Sequence, residues 1–219
     1  MFVDKGWKLE MIFLESVDST HKYLKKYINQ NGYTIPTAII TQDQTDGIGS
    51  RDNRWDGESG NLYFSFVIKK NLLPLDLPLQ STSIYFSYIL KEILAELNSK
   101  VWLKWPNDFF IQNDKIGGTI TSVSNDLIYC GIGLNLKNKN NAYKNLDIQI
   151  TIDVLLNQYF DRILQKIKWK KIFSKYRIEF ENSKQYKTTI DNKKVSLNNA
   201  FLNEDGSINI SNKKVFSLR

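Results

Sequence analysis

Cysteine and histidine are nearly missing from this sequence: Cys130 and His21 are the only ones in 219 residues. A lone cysteine excludes an intrachain disulfide. One cysteine and one histidine cannot supply the ligand spacing of a Cys/His metal site, and a Ser-His-Asp arrangement would have to be built on His21. Long apolar runs are missing as well. The first residues, Met1-Phe-Val-Asp-Lys-Gly-Trp-Lys8, lack the apolar stretch of a signal peptide. Nothing approaches the ~20 consecutive apolar residues that cross a bilayer. A cytoplasmic location with no membrane partner is therefore expected. There is no internal repeat and no low-complexity tract, and no nucleic-acid-binding module is recognisable, so no DNA partner is expected.

What is present is enough for a real core. Hydrophobic residues make up 42% of the chain and aromatic residues 13%. The length fits one large domain, or one with a small appendage. The net charge of +7 is concentrated: residues 161–190 hold nine Lys or Arg against three acidic residues. A basic helix of this kind could face an acidic protein, a nucleic acid or an anionic membrane; the plainer reading is a solvated helix face.

Residues 8–15, 36–44 and 60–68 read as strands, with a helix from about Thr20 to Ile28 after the first. Asp18 or Ser19 is placed to cap that helix. Apolar residues from Leu79 to Leu97 recur at helical spacing, which predicts an amphipathic helix laying one face on a sheet. A strand is predicted from Val101 toward Asp108, ending at Pro106, which cannot donate to a ladder. Residues 109–118 read as a hairpin turning near Asn113-Asp114, and Leu127–Leu136 as another strand. Ile150 to about Phe180 reads mainly as helix. Short alternating segments follow, which places a small β-domain at 184–219 behind a main domain at 1–183.

Several polar or glycine-rich stretches are candidates for chemistry. The chain Gly47-Ile-Gly-Ser-Arg-Asp-Asn-Arg-Trp55 joins two predicted strands and carries two arginines, whose planar forks suit phosphate or carboxylate. Asn107 and Asp108 lie where Pro106 ends a strand, and Lys115 opens the next one. Gly131 and Gly133 fall on one face of a strand, leaving a flat surface on which a planar ring or a packed helix can lie.

In sequence, Asp18-Ser-Thr20, Gln44, the Gly47–Trp55 loop, Gly60-Asn-Leu-Tyr-Phe-Ser65, Lys104-Trp-Pro-Asn-Asp108, Lys115-Ile-Gly-Gly118 and Gly131-Ile-Gly-Leu-Asn135 resemble the biotin protein ligases. The likeness spans roughly residues 10–136, with a weaker echo at Asp205-Gly206 and Ser217–Arg219. It implies an α+β fold: a mixed or antiparallel sheet flanked by helices, like a class II synthetase, with a small SH3-like C-terminal β-domain. It also implies a reaction. Biotin's carboxylate attacks the α-phosphate of ATP to give biotinyl-5′-AMP, with Mg²⁺ accompanying the nucleotide. A lysine of a biotin carboxyl carrier protein then attacks that anhydride.

The resemblance assigns roles to residues. Lys115 and Asp108 stand at the catalytic positions, Asp108 also being the natural carboxylate for Mg²⁺. Ser19, Thr20, His21, Gln44, Ile48, Gly49 and Ser50 fall at biotin-facing positions, as do Lys115, Gly118, Gly131 and Gly133. Arg51, Asn53, Arg54, Trp55, Lys104, Asn107, Asp108, Asn135 and Arg219 fall on the nucleotide side. The family loop reads Gly-Arg-Gly-Arg-x-x-Arg-x-Trp, and here Ile48, Ser50 and Asn53 replace all three arginines. Arg51 is then expected to become the main phosphate contact, and biotinyl-AMP to be held less tightly. His21 stands where an amide residue is common. The first strand begins near residue 8, so a monofunctional form without a DNA-binding domain is expected. Pairing of sheet edges into a homodimer is among the family's arrangements. The alternatives are a lipoate or octanoate ligase of related fold and a non-catalytic biotin- or nucleic-acid-binding module.

Overall fold

In the computed structural model, residues 8–49, 54–55, 57–137, 144–191 and 193–217 are described. A seven-stranded sheet forms the centre, built from β1 (Glu10–Leu14), β2 (Thr37–Thr41), β5 (Leu62–Lys69), β9 (Leu127–Leu134), β8 (Asp114–Ser124), β7 (Asp108–Ile111) and β6 (Trp102–Lys104), in that spatial order. Only β1 and β2 run parallel; every other pair is antiparallel. β3 (Gly47–Ile48) and β4 (Arg54–Trp55) form a separate two-stranded ribbon.

Each face of the sheet is covered by helix. On one face lies α1 (Thr20–Asn31), whose Leu24 and Ile28 pack with Ile39, Val67 and Tyr129 of the sheet. On the other lies α2 (Thr82–Glu96), backed by α3 (Ile152–Leu164) and α4 (Trp169–Ser183). The spacing in α2 predicts one buried face, but every residue from Thr82 to Leu90 is buried. The reason is the third layer: with the sheet beneath it and α3 and α4 above, this part of α2 has no outer side. Edge-on aromatic pairs lock these layers, with Phe66 and Phe86 5.0 Å apart and Phe64 and Tyr159 5.6 Å apart.

The single helix expected over 150–180 is two helices. The chain breaks between Leu164 and Trp169, where Lys166 takes a left-handed conformation (φ 47°). The apolar positions continue at helical spacing across the break, so periodicity could not reveal it. The break also divides the basic stretch among α3, α4 and the strand that follows. Much of its charge is satisfied internally: Arg162 forks onto Glu96 at 3.0 and 2.7 Å, Lys175 meets Glu92, and Lys166 donates to the Asn71 carbonyl.

The strand expected from Val101 toward Asp108 is only Trp102–Lys104, because Trp105–Asn107 turns the chain into β7 through a cis Trp105–Pro106 bond. Two side chains one turn apart on α4 serve the open edge of β6: Glu179 Oε1 accepts from Leu103 N at 2.6 Å, and Ser183 Oγ accepts from Trp105 N at 2.9 Å. Residues beyond α4 form two small antiparallel sheets, β10 (Lys187–Ile190) with β11 (Lys193–Ser196), and β12 (Phe201–Leu202), β13 (Ile208–Ile210) and β14 (Lys213–Val215). Their apolar side chains, Leu197, Leu202, Ile208 and Val215 among them, join the main core.

Three donors from distant parts of the chain grip the turn between β12 and β13. Trp169 Nε1 donates to the Glu204 carbonyl at 2.8 Å, Ser81 Oγ to the Asp205 carbonyl, and Trp105 Nε1 to the Gly206 carbonyl at 3.0 Å. Gly206 has φ 77°, and a Cβ there would lie 3.0 Å from Ile84 Cδ1. Glycine is required at this position by both conformation and space.

Candidate active site

A cavity of about 110 Å³ opens on the α1 face of the sheet, under the β3–β4 ribbon. Its first wall is the start of α1. Ser19 is extended (φ −152°, ψ 123°) and caps the helix, its hydroxyl accepting from Lys22 N at 3.4 Å. A short parallel bridge between Val17 and Gln44 fixes this end, with Asp46 N donating to the Asp18 carbonyl at 2.8 Å. Gln44 can then turn its side chain inward. Its Oε1 accepts from Thr20 N at 2.9 Å and Thr20 Oγ1 at 3.2 Å, and Thr20 Oγ1 lies 2.9 Å from Ser65 Oγ on β5. The result is a neutral hydrogen-bonding wall whose hydroxyl lone pairs remain open to a ligand.

Strand register builds the floor. Tyr63, Gly133, Gly118 and Asp108 line up across β5, β9, β8 and β7; Ser65, Gly131 and Ile120 form the neighbouring row. Gly131 and Gly133 are the bare centre of this surface. A Cβ at Gly133 would lie 3.0 Å from Trp55 Cε2, so the indole from the ribbon rests directly on glycine backbone. The expected flat floor is present, and its cover is an aromatic side chain of the loop.

The charged end depends on a β-bulge. Phe109 pairs with Gly117 but Phe110 pairs with Lys115, so Ile116 is the extra residue. In a regular strand, residues three apart point to opposite faces. The bulge re-aims Lys115 onto the face of Gly118 and Asp108. Its Nζ lies 2.7 Å from Asp108 Oδ1 and 5.3 Å from the Trp55 ring. Lys104 approaches the other carboxylate oxygen at 3.5 Å. Burial draws the Lys104 ammonium below the usual lysine range, and Asp108 only partly offsets it. Two ammonium groups thus share one carboxylate, an excess of positive charge that favours an anionic ligand. With both its oxygens turned to lysines, Asp108 does not fit a resident metal, and no group of three His, Cys, Asp or Glu able to hold one occurs among the described residues.

Most of the candidates converge here. Ser19, Thr20, His21, Gln44, Ile48 and Gly49 line the cavity with Arg54, Trp55, Asn107, Asp108 and Lys115, and Gly118, Gly131 and Gly133 complete the floor. Asn107 is held by Thr119, donating from Nδ2 to its carbonyl and accepting from its N–H at 3.0 Å. Lys104 lines a neighbouring cleft of about 380 Å³ that shares Asp108 and Lys115 with the cavity and reaches Lys187 and Lys194. Asn135 instead donates to the Lys144 carbonyl and lines neither space. Ser50, Arg51, Asn53 and Arg219 lie outside the described residues. Sequence reasoning missed Tyr63, Ser65 and Thr119 as site residues. Ser65 carried a usable signal, the one small polar side chain inside the run Leu62–Ile68.

His21 is 7% exposed, with Nε2 3.4 Å from Ser122 Oγ and Nδ1 without a partner. Burial first, then the Lys25 charge, lowers its pKa from 6.5 to about 4. Between those values the unfolded chain binds a proton that the folded chain refuses. The resulting stability is complete above about pH 6.5 and is lost as pH falls toward 4. At pH 5 the loss is about 2 kcal/mol. Urea unfolding of wild type and His21→Phe at pH 7 and pH 5 checks this: the variant should lose about 2 kcal/mol less between the two. Equal losses would remove His21 as the cause.

The fold is a mixed α+β sheet with one polar cavity at the start of α1, and the chain matches the Biotin/lipoate A/B protein ligase family over residues 13–136. It belongs to that family. The structure superposes with a TM-score of 0.91 on the biotin acetyl coenzyme A carboxylase synthetase of Helicobacter pylori, solved with bound biotinylated ATP, at 36% identity over 95% of this chain and 100% of that one. The Aquifex aeolicus biotin protein ligase in complex with biotin and ATP shares the fold (TM-score 0.72, 24% identity, 96% and 98% covered). Among curated proteins, the bifunctional ligase/repressor BirA of Bacillus spizizenii is 24% identical over 159 residues, covering 69% of this chain. The chain spans about half the length of that relative (49%). No helix among the described residues is long and apolar enough to cross a membrane.

Proposed function

We propose that this protein activates biotin as biotinyl-5′-AMP at the expense of ATP and transfers the biotinyl group to a lysine of a biotin carboxyl carrier protein, as carried by acetyl-CoA carboxylase or another biotin-dependent carboxylase. One observation carries the reading: a single cavity has a neutral hydrogen-bonding wall at Thr20, Gln44 and Ser65, a bare floor at Gly131 and Gly133, and Lys115 beyond it. Biotin presents a ureido ring, an apolar body and a carboxylate in that order. The bound biotinylated ATP of the Helicobacter pylori synthetase supports the same reading.

In the first step a carboxylate oxygen forms a bond to the α-phosphorus, and the bond from that phosphorus to the bridging oxygen breaks, releasing pyrophosphate. Two anions must approach, and Lys115 supplies fixed positive charge where they meet. Asp108 sets the Lys115 ammonium in place through the 2.7 Å contact. In the second step the carrier's amine attacks the acyl carbon and gives up its proton, the acyl carbon–oxygen bond breaks, and AMP leaves. Mg²⁺ enters with ATP as part of the substrate. Residues 1–183 carry this chemistry, and residues 184–219 form a small domain closing the nucleotide side, where Lys187 and Lys194 border the neighbouring cleft. The reaction belongs in the cytoplasm, with its carrier.

The test is incubation with ATP, Mg²⁺, biotin and a carrier domain, followed by intact-mass measurement. The expected result is one added biotinyl group per carrier. Modification with lipoate or octanoate in place of biotin, and none with biotin, would overturn the assignment.

A further inference from the structure

The charged end of the cavity depends on the last strand of the sheet. β6 is three residues long, and no further strand among the described residues lies beside its outer edge. Yet its ladder partner belongs to the site: Lys104 pairs with Asp108, which pairs in turn with Gly118. An open edge leaves a row of strand amides without partners. Here two side chains of α4 supply them. Glu179 Oε1 accepts from Leu103 N at 2.6 Å, and Ser183 Oγ accepts from Trp105 N at 2.9 Å. The residue between those two amides is Lys104. Alternate residues of a strand turn their N–H groups to opposite edges. Gripping 103 and 105 from outside therefore holds Lys104 against β7. Its ammonium lies over the Phe110 ring at 5.4 Å and 3.5 Å from Asp108 Oδ2.

A carboxylate is a costly way to hold one amide. Glu179 is buried, and burial pushes its carboxyl above the usual range, with Lys91 acting against that shift. A hydroxyl meets the same need at Trp105. What the carboxylate adds is a second oxygen: Glu179 Oε2 meets Lys91 Nζ on α2 at 2.9 Å. One side chain thus ties β6 to both α2 and α4. If the acceptor alone is removed, the buried Leu103 N–H is left without a partner. The strand end relieves that cost by moving toward water, and Lys104 and Asp108 move with it. A shift of about 1 Å at a reacting centre can cost ~10²-fold in rate. We propose that Glu179 is a positioning residue for the reaction: through the Leu103 amide it sets Lys104 and Asp108, and through Asp108 the Lys115 ammonium. Glu179 itself lies on the face of the sheet away from the cavity and touches no substrate. This rests on the function proposed above and adds to it a residue that fixes the geometry of the charged end.

The experiment compares two double variants of equal charge. Lys91→Met with Glu179→Gln removes the ion pair but keeps a carbonyl oxygen for Leu103 N. Lys91→Met with Glu179→Leu removes the ion pair and the oxygen together. Pyrophosphate release with ATP, Mg²⁺ and biotin is measured well below the unfolding transition of each. The Gln variant is expected within about threefold of wild type, and the Leu variant about 10-fold or more slower in kcat. KM for biotin should hardly change in either, because the wall at Thr20 and Gln44 is untouched. Ser183→Ala, which removes one acceptor and no charge, is the milder second probe and should slow kcat about threefold or more. The geometry is also read without catalysis. The Asp108 carboxyl ¹³C signal should shift in the Leu variant and in Ser183→Ala, and stay near its wild-type position in the Gln variant. Equal kcat in the two double variants, or an unmoved Asp108 signal in the Leu variant, would overturn the proposal and leave Glu179 with a purely structural role. So would a loss confined to KM. A wild-type protein that releases no pyrophosphate would instead sink the assigned function, and the Asp108 signal would still decide the positioning.

Discussion

Lys115→Ala is expected to slow formation of biotinyl-AMP by about 10²–10³-fold, the range seen when one preorganised charge-stabilising donor is removed from a reaction centre. The lysine is 43% exposed, so its removal should leave stability nearly unchanged. The loss would therefore be chemical. Truncating the side chain to a methyl group leaves Lys104 as the one cation within 4 Å of Asp108 among the described residues, and Lys104 approaches the carboxylate from the side of the neighbouring cleft. Lys115→Arg is expected to restore only part of the rate, because the planar fork is longer and directs its donors differently. Pyrophosphate release with ATP and biotin, without carrier, isolates this step. A rate within threefold of wild type would show that the charge at Lys115 is not what brings the two anions together.

Trp105→Ala is expected to destabilise the protein by about 3–5 kcal/mol, the cost of emptying a fully buried aromatic site. Trp105 is 0% exposed. It also does what no aliphatic residue can: its indole N–H satisfies the Gly206 carbonyl, tying the turn before Asp108 to the β12–β13 turn. Against a typical net stability of about 5–15 kcal/mol, much of the margin would be gone. Trp105→Phe fills most of the space but orphans the carbonyl, and should cost about 1–3 kcal/mol. Urea midpoints of the two variants measure both contributions. If Trp105→Phe proved as stable as wild type, the indole hydrogen bond would not be what anchors the turn.

The site was more legible in the sequence than the architecture around it. Thr20, Gln44, Asp108, Lys115, Gly131 and Gly133 occur at spacings that the fold brings into one cavity, because each sits at an element end or on a strand whose side chains alternate. The β-bulge at Ile116 left no local mark, since an extra residue in a strand looks like any other. Ser65 went unassigned for a related reason: in an almost wholly apolar strand, one hydroxyl does not say which face it serves. The break at Lys166 and the all-round burial of α2 from Thr82 to Leu90 are set by packing between helices, and local periodicity carries no information about a third layer.

The grip on the Glu204–Gly206 turn also imposes an order in time. Ser81 and Asp205 are 124 residues apart, and Trp105 and Gly206 are 101 apart. At ~5–20 residues per second of synthesis, Ser81 waits on the order of 6–25 s for its partner to emerge. During that interval the indoles of Trp105 and Trp169 have no carbonyl to meet, and the turn carrying Asn107 and Asp108 is unfastened on that side. The turn carrying Asn107 and Asp108 can thus gain this fastening only after the Glu204–Gly206 turn has been synthesised.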